Sequence, residues 1–434
     1  MQWWEVVVLI EDVFAAAKSR VDEVELVIAE GHGIRADLRR GKITIGTASR
    51  SAGIIIRTIH DGRIGVSSSD SPARWKECLD AAIAGGKLAD RQEWGGLFGP
   101  VQERETLARD PTLIVSPDLL NDLITTMVQG SEEYDAKITS GSASLSSGNV
   151  TLANSAGLLI TEPSTHASLS IEMIQGQSTG FEHDASWQLS RINPFTIGKT
   201  ASWFAYAGQN GVELDSGTYD IVLSPDALSQ LLDTVLTPAL SGRNVHAGRS
   251  VLAKKIGEQV LGEEISLFDD PLDPRGSANS YWDGEGVPVR RLDLITNGVL
   301  NCFAYDLRTA YRYGKETTAS AVRGGLAGAP SIGFHNLILK GPVDNVLDEK
   351  AVYIHDVVGA HTANPMSGDF SVELSSPFFA EGGELGTPIR SAMLSGNVFD
   401  LLNQVQCVSA ETKTLGNMIL PSIRIENQTL VGKI

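Results

Sequence analysis

Cysteine is scarce: Cys78, Cys302 and Cys407 are the only three in 434 residues, widely spaced and without a CxxC pair. An odd, dispersed set excludes a disulfide scaffold and fits a reducing cytoplasm. Runs of Lys or Arg are missing, and 35 basic against 53 acidic residues leave a net charge of −18. Phosphate binding is driven by basic side chains that release counterions, so nucleic acid and anionic membrane surfaces are excluded as partners. Long apolar runs are missing too. Val6 to Ile10 is followed at once by Glu11 and Asp12, with no basic leader or small-residue cleavage site, which argues against a signal peptide. The longest uncharged stretch, Ile138 to Thr161, is rich in Ser, Gly, Thr and Asn, whereas a membrane span needs about 20 predominantly apolar residues. A soluble cytoplasmic protein is expected.

Familiar catalytic signatures are absent as well. With no His-Glu dipeptide, no HExxH zinc motif can exist, and neither a P-loop nor a dinucleotide fingerprint occurs. Gly324-Gly325-Leu326-Ala327-Gly328 lacks the Lys-Ser/Thr of a P-loop and reads as a turning loop.

What is present is a large apolar fraction, 42%, in a chain too long for one core. The expected class is α+β: an N-terminal α/β region of two small modules with hairpins and helices, followed by a β-rich domain. The boundaries are placed at 1–108, 109–216 and 217–434. Glu5 to Arg20 has helical periodicity, Ile34 to Ile45 bends near Gly41, and Asp61-Gly62 suits a tight hairpin. Ser71-Pro72 opens a helix to Ala84. Leu113 to Val115 and Ile221 to Leu223 read as strands, each running through Ser-Pro-Asp into a capped helix. Gly148 to Ile174 alternates like half-buried antiparallel strands, and Asn297-Gly298 between Leu292–Ile295 and Val299–Ala304 is the strongest hairpin signal.

Several clusters invite chemistry. His355, Asp356 and His361 could supply zinc ligands, but six residues along a strand separate the rings by roughly 20 Å. On a helix they lie about 120° apart. His355 therefore reads as a strand residue and His361 as part of the following loop. Glu182-His183-Asp184 reads as a solvated loop. The acidic stretch Asp269 to Asp273, continuing to Asp283 and Glu285, fails EF-hand spacing and reads as a surface connection with carboxylates in water. Cys302, in the Asn-Gly hairpin, reads as a small hydrophobe.

The C-terminal half carries an ordered set of segments. They include Asp269-Asp270-Pro271, Asp283-Gly284-Glu285-Gly286-Val287-Pro288, Leu294-Ile295-Thr296-Asn297-Gly298, Ala360-His361-Thr362-Ala363-Asn364-Pro365, Ser367-Gly368-Asp369-Phe370 and Leu394-Ser395-Gly396-Asn397. Together these resemble the TldD/PmbA family, named for modulation of DNA gyrase. The N-terminal half resembles it more loosely, through Leu152 to Leu158. One kind of family member, TldD, carries His-Glu-x-x-x-His on the helix after the strand equivalent to Ile221–Leu223, with a later Cys-Gly. Here the corresponding residues are Asp233, Thr234 and Pro238, and the later position is Leu415. Asp233 alone cannot replace three protein ligands, and Thr234 cannot replace a glutamate base. The chain looks like the other kind, PmbA or TldE.

The resemblance implies a subunit with no cofactor and no catalytic residue of its own. Its partner is a TldD-like zinc metallopeptidase or a second copy of itself, and the substrate of such a system is unfolded or extended peptide. An extended peptide could add as a strand to a sheet edge. His361, Asn364, Ser367 and Asp369, on the glycine- and proline-containing loop Gly359 to Phe370, are candidates for the groove border, although the same residues also make ordinary turns. Arg323 is a candidate for a peptide carboxylate, with a surface ion pair as the plainer reading. The rival function is a stand-alone homodimeric peptide- or ligand-binding protein without catalysis. Gyrase modulation finds no support in these residues, because the charge is wrong for DNA.

Overall fold

The computed structural model describes residues 3–102, 104, 107–325 and 328–432. Its first part is α1 (Trp3–Ala17), a meander of β1 (Glu23–Arg39), β2 (Lys42–His60) and β3 (Arg63–Ser69), and α2 (Trp75–Leu88). The same order then recurs as α3 (Pro117–Ser131), β4 (Lys137–Asn154), β5 (Leu159–Gln175), β6 (Ser178–Ser186) and α4 (Pro194–Ala207). The two modules share one antiparallel sheet, β3-β2-β1-β4-β5-β6, joined by β1 and β4 from Glu25↔Asn154 to Arg39↔Ser140. The sheet is thus an internal repeat about a pseudo-two-fold axis between β1 and β4. A glycine marks the equivalence: a Cβ on Gly65 of β3 would lie 1.9 Å from the Ala82 carbonyl of α2, and one on Gly180 of β6 would lie 2.0 Å from the Ala201 carbonyl of α4. Only a residue without a side chain lets helix and strand approach so closely.

Alternation decides what each face meets. Leu26, Ile28, Ile54 and Ile56 pack under α1 and α2, while Ala36, Leu38, Leu145 and Leu169 pack under α3 and α4. Val27 and Ile55 point the other way, with Leu152 and Ile160, onto Trp282 of the third part.

The third part is β-rich, as its sequence implies. It opens with β7 (Gly217–Leu223) and α5 (Pro225–Leu231), where the Ser224 hydroxyl accepts from the Ala227 N–H. β7 pairs in parallel with Ala351–Val358, which leads through Asp369–Glu381 and Ala392–Asn397 to Met418–Gly432, and that last strand pairs back onto β7. The circuit is closed, so none of these strands presents a long bare edge. Leu228, Leu231, Leu232, Val235 and Leu236 pack into its core. Among the described residues no helix is long and apolar enough to cross a membrane.

Local expectations need several corrections. Leu113 to Val115 forms no strand, because Asp110 accepts from the Thr112 N–H and the Leu113 N–H returns to the Asp110 carbonyl, closing a turn instead. The chain after Ser71 makes a 3₁₀ turn, Pro72–Arg74, before α2, and Ser71 makes no side-chain cap. Asn297 and Gly298 do adopt the positive φ of a tight hairpin, 47° and 75°, but its second strand is only Val299–Leu300. Cys302 follows that strand, half-buried. Glu182-His183-Asp184 lies on β6 rather than in a loop. The acidic connection does not face water: Asp269, Asp283 and Glu285 are buried, Asp269 receiving the N–H groups of His335 and Asn336. The glycine-rich loop lies partly outside the described residues, at Leu326 and Ala327.

Candidate functional site

Where β6 meets the third part, a cleft of about 390 Å³ opens between α5 and the turn at Gly416. Ser224 follows β7 and caps α5, which sets Asp226 in the first helical turn facing β6. His183 Nε2 lies 3.1 Å from Asp226 Oδ1. From the final hairpin, on strand Val405–Leu415, the Lys413 ammonium donates to Asp226 Oδ2 at 3.0 Å and also to Glu182. Gln230, one helical turn beyond Asp226, donates to Asp356 on the strand Ala351–Val358.

The charges answer one another. Burial alone would raise the Asp226 carboxyl, but the bond from His183 and the charge of Lys413 hold it down at about 2. Burial works against the Lys413 ammonium, yet Glu182 and Asp226 push its pKa up. Asp356 is pushed up by burial first and by the charge of Asp226 as well. A fixed cation, neutralised by two carboxylates, thus stands behind Asp226 at the side of the cleft.

The substituted positions fall into two groups. Asp233 and Leu415 line this same cleft, on its helix side and its hairpin side. Thr234 is half-buried, its hydroxyl donating back along the helix to the Gln230 carbonyl at 2.9 Å. Asp233 and Thr234 lie within a π-type segment of the helix, Leu232–Leu236, with the Thr237 N–H bonded to the Leu232 carbonyl. Pro238, lacking an N–H, cannot bond the carbonyl four residues back, and the helix re-registers around it. A catalytic zinc needs three protein ligands, and one exposed carboxylate beside a leucine does not meet that need. Among the described residues no group of three or more His, Cys, Asp and Glu side chains could hold a metal ion. The residues present do not fit zinc.

The remaining candidates lie elsewhere. His355 is buried, its ring stacked on Phe204 at 3.8 Å and its Nε2 3.3 Å from the Phe181 carbonyl. His361 is exposed on a 3₁₀ turn, Ala360–Thr362, that follows a left-handed Gly359. Asn364 accepts from the Met366 N–H, the Ser367 hydroxyl donates to Asp369, and Asn397 donates to both Ser367 and Asp369. Asn364, Ser367 and Asp369 are thus brought together in one turn, with His361 on the 3₁₀ turn that precedes it. Arg323 is not with them, and its ion pair is not a surface one. Its guanidinium reaches Glu25 at 2.6 Å, beside Arg57, which holds Glu25 at 2.6 Å and Glu285 at 2.5 Å. This buried network ties β1 and β2 to the third part. The sequence reading missed Asp226, Gln230 and Lys413. The one signal that could have found part of the set was the Glu182-His183-Asp184 cluster on an alternating strand.

Known proteins match along the length of the chain. Models of the PmbA/TldA metallopeptidase match as domain 1 over residues 24–85, as central domain over 110–208 and as C-terminal domain over 216–432. A protein of Methanocaldococcus jannaschii is 30% identical over 94% of this chain and 96% of its own. Metalloprotease PmbA of Escherichia coli is 24% identical over 95% of this chain and 94% of its own. The crystal structure of TldE from Thermococcus kodakarensis superposes with a TM-score of 0.89 at 28% identity, covering 98% of this chain and 100% of that one. Fold and comparisons define a metallopeptidase-type protein. The chain belongs to the PmbA/TldD family.

Proposed function

We propose that this chain is the metal-free, PmbA/TldE-like subunit of a cytoplasmic peptidase system. It contributes to binding unfolded or extended peptide, while a TldD-like partner supplies the zinc. The observation that carries this reading is the cleft itself: Asp233 and Leu415 stand at the substituted positions, with the Lys413 ammonium anchored nearby on Asp226 and Glu182. A fixed ammonium repels a divalent cation, and the two carboxylates nearest to it, Asp226 and Glu182, are already paired. The exposed turn with His361, Asn364, Ser367 and Asp369 borders the groove on this reading, and Arg323 serves as an internal tie.

The test is reconstitution. The purified chain is assayed on an unfolded polypeptide alone and after addition of a TldD-like chain that carries the intact His-Glu-x-x-x-His motif. Chelator-sensitive hydrolysis is expected only in the mixture, at a rate above that of the partner alone. Hydrolysis by the lone chain contradicts the proposal. A partner whose rate is unchanged by addition favours instead the stand-alone binding protein.

A further inference from the structure

The third part holds a basic corner in an otherwise acidic chain. From Thr234 to Gly257 and from Leu307 to Lys315 the sequence has no Asp or Glu, while Arg243 stands in the first stretch and Arg308, Arg312 and Lys315 in the second. The fold sets the two stretches against each other through the short helices Gly242–His246 and Leu307–Arg312. The Gly242 N–H donates to the Ala304 carbonyl at 2.9 Å, and a Cβ on Gly242 would fall 2.3 Å from the Tyr305 ring, so the approach requires glycine. The His246 ring then stacks on Tyr313 at 3.8 Å, with its Nε2 3.2 Å from the Tyr305 hydroxyl.

Three guanidiniums meet at this junction without a carboxylate. Arg243, Arg308 and Arg312 are exposed, and among the described residues none of them forms an ion pair. Asp306, just before the second helix, is buried and occupied in capping the Thr309 N–H. The crowding is felt electrostatically: burial first, then the charges of Arg243 and Arg312, push the Arg308 pKa down. Arg308 Nε reaches only Gln92 Oε1, at 3.4 Å, and the other end of that amide, Gln92 Nε2, is buried without an acceptor. Like charges held together beside an unsatisfied donor are the complement of an anion.

We propose that this corner binds a carboxylate-rich stretch of an extended peptide. Spacing supports that class of ligand. Arg308 and Arg312 are one helical turn apart, about 5–6 Å between Cβ atoms. Alternate side chains of an extended chain project to one side about 7 Å apart. Two successive same-side carboxylates can thus each meet a guanidinium fork. Long polyanions suit the corner poorly: the chain as a whole carries −18, so beyond these few cations a nucleic acid meets net repulsion. The anion site stands on the two helices alone, whereas its assignment to a peptide rests on the function proposed above.

The test is fluorescence anisotropy on the full chain alone, with a labelled peptide of alternating Glu and Ser as probe. Saturable binding that weakens as salt rises is expected, and the Lys-Ser counterpart should not bind. The double variant Arg308→Gln, Arg312→Gln should weaken binding by roughly tenfold or more, and Arg243→Gln, on the other helix, several-fold. These side chains are exposed and repel one another, so the thermal midpoint should stay unchanged or rise, which verifies folding. No saturable binding, binding indifferent to both variants, or tighter binding of a DNA oligonucleotide of equal charge overturns the proposal. Because the assay needs neither a partner chain nor hydrolysis, its failure leaves the reconstitution to be judged separately, and a failed reconstitution leaves this binding in place.

Discussion

Lys413 Nζ lies 3.0 Å from Asp226 Oδ2, although the two residues are 187 positions apart, one on the final hairpin and one on the first turn of α5. The contact stands beside the cleft lined by Asp226, Asp233 and Leu415, and the same ammonium ties β6 to the third part through Glu182.

Replacing Lys413 by Met leaves two inward-facing carboxylates without their cation. The expected loss is about 2 kcal/mol, read as a lower urea midpoint with unchanged slope. The pH dependence gives a second readout. Asp226 is held at about 2 against an ordinary 3.8, so its contribution is fully present above pH 3.8 and is lost as pH falls toward 2. In Lys413→Met that acid loss should begin at higher pH. A midpoint and acid limb identical to wild type would show the pair to be inert.

Glu285 behaves oppositely. Burial pushes its carboxyl up to about 7; the Arg57 charge opposes this, and Asp283 and Asp306 reinforce it. The folded chain therefore holds a proton that the unfolded chain releases near 4.5. Stability from this group is full below 4.5 and declines as pH rises through 7. Glu285→Gln should flatten the stability profile across that window, measured as thermal midpoint against pH.

The repeated close approach of strand and helix makes a paired prediction. Gly65→Ala and Gly180→Ala each drive a methyl into a carbonyl, at 1.9 and 2.0 Å, and should each cost about 2 kcal/mol or more. Gly85→Ala, in α2 with nothing within 4 Å of its added carbon, should be neutral or stabilising. Equal midpoints for all three would remove the basis for equating the modules.

These features differ in how far the sequence discloses them. Alternation at Leu169, Ile171 and Met173, the positive φ demanded by Asn297-Gly298 and the Ser224 cap are local, so class and several elements are legible. The long β1 and β2 are not, because Gly31, Gly33, Gly46 and a run of Ser and Thr break the apolar period. The internal repeat is hidden because its two halves share a topology rather than a motif, leaving Gly65 and Gly180 as isolated glycines. Asp269 and Glu285 read as solvated carboxylates because their partners, His335 and Arg57, are distant in sequence. The substituted ligand positions came from family resemblance. That Asp233 and Leu415 share one cleft, and that Lys413 stands near them, required three-dimensional contacts.

The most direct test of the silent cleft is the metal content of the purified chain, measured by inductively coupled plasma mass spectrometry after equilibration with zinc and removal of the excess. The expected result is far less than one zinc per chain, unchanged by Asp233→Ala. One tightly held zinc per chain, lost on Asp233→Ala, would contradict it.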